Sequence, residues 1–347
     1  MSPTNTAAWI TAAKASPLEV KEAELWTPGP NDVLIKNHAV AINPVDWKIQ
    51  TTGMFLQKYP MVLGTDVAGE VVDVGENVKK EGKLQKGDRV LGHAFSLMTN
   101  APKDGGFQHY TTCTSLAVSK IPSSLSYTSA AVLPLSLSTA AAVLFKRETL
   151  GLALPTSNTS PKPSGKSVLV WGGSSSVGAS AIQLAVGAGH TVFSVSSSRN
   201  IAAVKELGAS EVFDYNSSGV ADDIISAIQS SGTEFVGVAD CIGTPDAAAA
   251  WTPVYKKLGG RYGSVMPEPK GLPEGIEGAF VFAPSVATQD RYVGEAVWEQ
   301  YVPKALEEGK LKAKPDPIVI KSGLEKVQEG IDKCKQGVSF AKVVVEL

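Results

Sequence analysis

The seven residues Gly172-Gly173-Ser174-Ser175-Ser176-Val177-Gly178 have the types and spacing to hold a dinucleotide pyrophosphate. Gly172 and Gly173 permit a tight turn, and Gly178 lets a helix pack closely on a strand. The start of that helix offers free N–H groups to phosphate oxygens. Ser175 stands where a second glycine would let backbone approach phosphate, and its small hydroxyl fits there and can donate. An NAD-selective site places an acid about 20 residues further on, against the ribose 2′-hydroxyl. Here that place holds Ser196-Ser197-Ser198-Arg199-Asn200 and no acid. Hydroxyls and a guanidinium suit a 2′-phosphate, which needs donors and positive charge. The pattern predicts NADPH, with Ser197, Ser198 and Arg199 at the phosphate.

Such a turn must sit between a strand and a helix, and the surroundings supply both. The apolar run 168–171 reads as a buried strand, and the small and apolar residues from Ala179 as a helix. Further strands are predicted at 191–195, 211–215, 235–240, 261–265 and 279–283, with helices at 201–207, 221–229, 247–257 and 290–306. This alternation is the α/β pattern of a Rossmann doubly wound parallel sheet. In such a sheet Cys241 and Ile242 follow the fourth strand on the rim that faces the cofactor. Val265, Phe282 and Ala283 end the fifth and sixth strands and are expected against ribose and nicotinamide. Cys241 reads as a packing residue, because no histidine is local to activate it. The first third of the chain is short β runs punctuated by glycine, which suggests a small, strongly bent barrel. Residues 129–145 read as helix around Pro134, and the polar, Pro-rich loop 155–165 as a surface insertion or a lid.

A chain of 347 residues has room for two domains, each with a core. A formal net charge of −2 without basic clusters gives no support for nucleic acid or an anionic membrane as partner. Three cysteines far apart, Cys113, Cys241 and Cys334, indicate neither a disulfide framework nor a metal cluster. No apolar run reads as long enough to span a bilayer and the start lacks a leader pattern, so a cytoplasmic, reducing compartment is expected.

The motifs Asn43-Pro44-Val45-Asp46, Gly64-Thr65-Asp66-Val67-Ala68-Gly69-Glu70-Val71, Gly87-Asp88-Arg89-Val90 and Gly105-Gly106-Phe107 precede the glycine turn in that order. Together they resemble the medium-chain dehydrogenase/reductase superfamily, and within it the zinc-independent quinone oxidoreductase and enoyl reductase branch. The form Asn43-Pro44-Val45-Asp46-Trp47-Lys48 is similar to fungal trans-acting enoyl reductases of polyketide pathways. The resemblance covers nearly the whole chain. It implies a GroES-like β-barrel catalytic domain over residues 1–133 and 312–347, the last strand returning to it, and a Rossmann NADPH-binding domain over 134–311. It also implies that Thr139 lies near the nicotinamide and Tyr215 near the 2′-phosphate or ribose.

Zinc-dependent members have a cysteine about where Asn43 stands and Gly-His-Glu where Gly64-Thr65-Asp66 stands, and the four-cysteine lobe expected near 97–105 is missing. Asn43 is a poor zinc ligand and Thr65 cannot replace an imidazole. His38, His93, His109 and His190 are scattered and read as structural. No metal site is expected. Without a Lewis acid, reduction of an activated C=C bond is easier to run than alcohol oxidation.

The expected function is therefore hydride transfer from NADPH to the β-carbon of an α,β-unsaturated carbonyl, or to a quinone, in secondary metabolism. The partner is a small molecule or a carrier-bound polyketide. Two alternatives stay open: a redox-neutral step in the same pathway, and a protein that binds NADPH without turnover. A monomer and a homodimer also stay open. The tyrosine acid of some relatives cannot be carried over, since Met54 and Phe55 stand there, and Tyr59 beside Pro60 reads equally as part of a turn. Asn43, Asp46, Trp47 and Lys48 are the candidates for the catalytic pocket. Each has a plainer role open to it: Asn43-Pro44 as a turn, Asp46 as a helix cap, Trp47 as core packing.

Overall fold

The computed structural model describes residues 4–267, 272 and 274–347. The chain forms two compact units, Met1–Leu135 with Ala313–Leu347, and Ser136–Lys312.

The first unit opens with β1 (Asn5–Ile10), β2 (Glu19–Ala23), β3 (Asp32–Ala41), α1 (Pro44–Thr52), β4 (Met61–Val62) and β5 (Asp66–Val74). It continues through β6 (Arg89–His93), β7 (Tyr110–Thr114) and β8 (Val118–Lys120). β3 is the hinge of its main sheet. Its first half, Asp32–Lys36, pairs antiparallel with β7. Beyond Asn37 the strand leaves β7, and its register on β5 shifts between Asn37 and Ala39. The buried Asn37 amide holds this bend by donating to Gln108 O at 2.8 Å and Thr111 Oγ1 at 2.7 Å. Gly69 lies opposite on β5, where a Cβ would come within 2.0 Å of the Lys36 carbonyl oxygen, so only glycine permits the close crossing. The barrel is bent where the sequence places its glycines.

α2 (Pro134–Phe145) runs across the boundary, and the second unit alternates β9 (Lys166–Trp171), α3 (Ser176–Gly187), β10 (Thr191–Ser196), α4 (Ile201–Lys205), β11 (Glu211–Asp214) and α5 (Val220–Ser230). β12 (Glu234–Asp240), α6 (Pro245–Leu258), β13 (Arg261–Ser264) and β14 (Gly278–Phe280) complete its sheet, and helical segments over 291–307 follow. All six strands are parallel, in the order β11-β10-β9-β12-β13-β14. The order reverses between β9 and β12, the switch point at whose carboxyl edge such sheets bind ligands. The sixth strand is shorter than the sequence predicts: Phe282 and Ala283 lie beyond it, and Ala283 opens a 3₁₀ turn.

The chain then returns to the first unit. β15 (Asp316–Ile320) and β16 (Ala341–Glu346) join its sheet, with α7 (Val327–Gln336) between them. β16 pairs with the second half of β3, Ala39–Ala41, and supplies the partner that β7 does not.

Three expectations change. The stretch Tyr127–Phe145 is long and apolar enough by composition to cross a membrane, contrary to the sequence reading. It is 78% buried within the protein, so its apolar side chains already have protein neighbours. It is also not one helix, because Pro134 starts a second segment after Tyr127–Ala130 ends. The helix read at 290–306 starts at Arg291, and its middle, Glu295–Tyr301, is a π-helix. Of the two readings of the loop 155–165, its end favours the surface insertion over the lid. Ser164 N–H donates to Gly189 O at 2.8 Å and its hydroxyl bonds His190 Nδ1 at 2.8 Å, just before β10 begins, at the sheet edge opposite the glycine turn.

Candidate functional site

Two polar centres carry the candidate chemistry, one in each unit. In the second unit the glycine turn follows β9 as the fingerprint requires. Gly172 has φ +87°, and a Cβ there would lie 2.5 Å from the Ile242 side chain. A Cβ on Gly178 would lie 2.1 Å from the Gly172 carbonyl oxygen, so α3 sits against the turn only because residue 178 has no side chain. The Ser175 hydroxyl behaves differently from the sequence reading. It caps α3 by accepting from Gly178 N–H at 2.9 Å, so its acceptor capacity serves the helix and its own proton faces Cys241 O at 3.5 Å. The N–H groups of Ser176 and Val177 at the first turn have no acceptor inside the helix.

These elements border a cleft of about 440 Å³ lined by Gly172, Ser174, Ser196, Tyr215, Ile242 and Asp246, among others. Of the residues predicted for the cofactor, Gly172, Ser174, Tyr215 and Ile242 line it. Ser197, Ser198 and Arg199 form the turn directly after β10, and Arg199 is exposed, with no ion-pair partner among the described residues. Thr139 is buried on α2, and Cys241 is buried behind the cleft rim. Burial, with Asp240 beside it, holds the Cys241 thiol well above its ordinary pKa, so it stays a neutral packing group. Val265 lies just past β13, Phe282 is exposed and Ala283 is buried; none of the three lines the cleft.

Asp240 went unread in the sequence and shapes this centre. It is fully buried at the end of β12. Its Oδ1 accepts from Ile242 N–H at 3.0 Å and Gly243 N–H at 2.9 Å, and its Oδ2 from Trp251 Nε1 at 3.1 Å. Three donors offset the cost of burying the carboxylate and fix the loop that carries Ile242. A dinucleotide phosphate fits what is present: a turn opened by side-chain-free Gly172, Gly173 and Gly178, the first-turn N–H groups of Ser176 and Val177, and the Arg199 guanidinium after β10, which pairs with no acid among the described residues.

The second centre lies wholly in the first unit, where α1 leaves β3. Asn43 caps α1, and its N–H donates to Asp46 Oδ2 at 2.7 Å. Its side-chain Nδ2 donates to Asp66 Oδ2 at 2.8 Å and Thr65 Oγ1 at 3.0 Å. Its Oδ1 accepts from Lys342 Nζ at 2.6 Å, and that ammonium also pairs with Asp66 Oδ2 at 2.9 Å. Asp66 Oδ1 takes the Leu135 N–H at 2.5 Å. Lys342 and Asp66 are 4% and 0% exposed, so this ion pair is out of water.

Burial is the largest influence on Asp46, whose pKa is pushed up to about 7, with Asp66 adding to the rise. The N–H groups of Asn43 and Gly64 and the Lys342 charge oppose it. Burial likewise holds His93 down to about 4, against Asp66, so it is neutral at ordinary pH. His38 stacks on Tyr127 at 4.6 Å, and His190 bridges Ser164 and Ala153 O, as structural histidines do. The cap role of Asp46 is therefore realised. Trp47 is half-buried against the core of this unit, and Lys48 is half-buried with Nζ 5.8 Å from the Trp47 ring centroid.

A doubly wound sheet with a glycine cradle, in one chain with a bent barrel whose last strand comes from the C-terminal end, defines a dehydrogenase/reductase of the medium-chain type. The chain belongs to that family, whose members use nicotinamide dinucleotides. Residues 29–123 match the alcohol dehydrogenase GroES-like domain. The chain is 44% identical to trans-enoyl reductase himH of Aspergillus japonicus, over 99% of its own length and 97% of that protein's. It is 39% identical to dehydrogenase orsE of Emericella nidulans, over 99% of both. An alcohol dehydrogenase superfamily protein from Novosphingobium aromaticivorans shares the fold with TM-score 0.77 at 23% identity, over 99% of this chain and 100% of that one.

Proposed function

We propose that this protein is an NADPH-dependent, zinc-free reductase of a secondary-metabolic pathway. It acts on the C=C bond of an α,β-unsaturated carbonyl, small or carrier-bound, or on a quinone. The observation that carries the reading is the donor set around Asn43. An amide and a hydroxyl are poor ligands for zinc, and the two carboxylates beside them are engaged, Asp66 with the Lys342 ammonium and Asp46 with the Asn43 N–H. A carbonyl reduced to an alkoxide would lack a metal electrophile there. An enone spreads the developing charge onto its oxygen, which ordinary hydrogen-bond donors can meet.

When bound, the nicotinamide supplies the hydride. The chain's own residues hold and orient: Ser176 and Val177 N–H groups at the pyrophosphate, and Arg199 with Ser197 and Ser198 at the 2′-phosphate. Trp47 and Lys48 on α1 are the groups we assign to the substrate, Lys48 as a cationic donor toward the enolate oxygen. The name of the himH relative points the same way.

The test is turnover of NADPH with a panel of enones, enoyl thioesters and quinones. With C4-deuterated NADPH, deuterium is expected on the β-carbon and solvent deuterium on the α-carbon. Label on a carbinol carbon would make the protein a carbonyl reductase. Product formed without NADPH consumption would favour the redox-neutral alternative.

A further inference from the structure

The helix that presents Trp47 and Lys48 is a weak element by itself. α1 has nine residues, ends in Thr51-Thr52 and buries only Asp46, Ile49 and Gln50. Helices this short are marginal without tertiary support. Its far end is tied by Gln50, whose Nε2 donates to Ala15 O at 3.1 Å and to Gln328 Oε1 at 2.8 Å, Gln328 lying on α7. Its near end depends on Asn43, and every polar atom of that side chain is committed: Nδ2 to Thr65 and Asp66, Oδ1 to Lys342. The Lys342 ammonium is the hub, because it holds the amide and the carboxylate at once from β16.

We infer that Lys342 is a positioning residue for the reaction. Its buried ammonium, shared by Asn43 Oδ1 and Asp66 Oδ2, fixes the N-terminus of α1 and with it the placement of Trp47 and Lys48 toward substrate. This rests on the reductase reading for the identity of the substrate, though not for the fixing of the helix. Chain ends are commonly loose unless tied down. Here the C-terminal strand carries the tie, and charge makes it specific: a hydrogen bond from a cation, accepted out of water, is stronger and more directional than a neutral one.

Removing the ammonium leaves Asp66 buried without a counter-charge, so Lys342→Met alone loses stability or fails to fold. The double variant Lys342→Met/Asp66→Asn removes both charges and separates charge balance from positioning. Hydrogen–deuterium exchange of peptides covering residues 44–52 reads the helix without any substrate, and steady-state kinetics on an accepted enone read the reaction. The double variant is expected to recover a Tm within a few degrees of wild type. Its 44–52 amides should still exchange at least tenfold faster, and kcat should stay at least tenfold down with KM changed less than threefold. A double variant with wild-type exchange and wild-type kcat would overturn the inference and leave Lys342 a charge balancer only. Should wild type reduce no enone or quinone, the reductase reading fails, while the exchange result still decides whether Lys342 fixes α1.

Discussion

Asp46 gives the most exposed prediction, because its cost is tied to pH. Its carboxyl titrates near 3.8 in an unfolded chain and near 7 here, chiefly because it is fully buried. A folded-state pKa above the unfolded one means that the native protein holds the proton more tightly. Stability from this group is complete below about pH 4, falls as pH rises through 7, and is flat above. A tenfold change in proton affinity is worth about 1.4 kcal/mol, so the full effect is on the order of 4 kcal/mol, and between pH 5 and 8.5 linkage gives a change of roughly 2–3 kcal/mol. Asp46→Asn removes it, because the amide oxygen still accepts the Asn43 N–H while Nδ2 takes the place of an Oδ1 that has no hydrogen-bond partner among the described residues.

The difference in Tm, variant minus wild type, should therefore grow between pH 5 and 8.5 by roughly 5–10 °C, at about 2–4 °C per kcal/mol. Differential scanning fluorimetry across that range measures it. Titrating neighbours do not mimic the effect: His93, lowered from 6.5 to about 4, contributes up to about pH 6.5 in wild type and variant alike and cancels in the difference, and Cys334, raised to about 11, acts above the window. A difference that stays constant with pH would show that Asp46 is already ionised at pH 5, and that burial does not govern its proton.

Arg199→Ala should weaken NADPH binding by roughly ten- to a hundredfold, the worth of one charged hydrogen bond, and leave NADH nearly unchanged by fluorescence titration. Gly178→Ala should cost about 1–3 kcal/mol or more, because its Cβ meets fixed backbone at Gly172 and no side chain can yield; a lowered Tm together with weakened dinucleotide binding checks it. Elemental analysis of the purified protein should find no stoichiometric zinc, and chelators should leave turnover intact. Tyr59→Phe should keep most of the turnover, since Tyr59 packs against the core of the first unit.

The fingerprint was legible because its constraints are local. Gly172 needs a positive φ and Gly178 needs an absent side chain, and both demands fall on residues a few positions apart. The bent barrel was legible for the same reason, through Gly69 and its neighbours. Ser175 shows where local reading stops. A hydroxyl beside a helix start can serve a ligand or the helix, and only the geometry at Gly178 N–H decides that it caps. Asp240 was invisible because its three donors come from two loop N–H groups and an indole on α6, which no spacing rule links. The π-turn at Glu295–Tyr301 leaves the apolar pattern of a long helix intact, so periodicity predicts the helix and misses its widened middle.

Lys342 marks the sharper limit. Asn43 and Thr65 alone are the ground for expecting no zinc, yet they leave Asp66 as a free carboxylate beside a second acid, Asp46. Two buried acids with no counter-charge would be physically incomplete, since an unpaired buried carboxylate is too costly to persist. The missing cation stands 299 residues from Asn43, in a strand whose sequence, Ala341–Glu346, reads as ordinary edge-to-core β structure. β16 therefore does two things for the first unit. Its backbone completes β3 where β7 departs, and its one buried ammonium balances Asp66 and fastens the cap of α1. The polar centre of that unit is closed only when the end of the chain comes back to its beginning. That requirement gives a physical reason for a discontinuous unit: the strand that returns carries the charge that the first half of the unit cannot supply at that point.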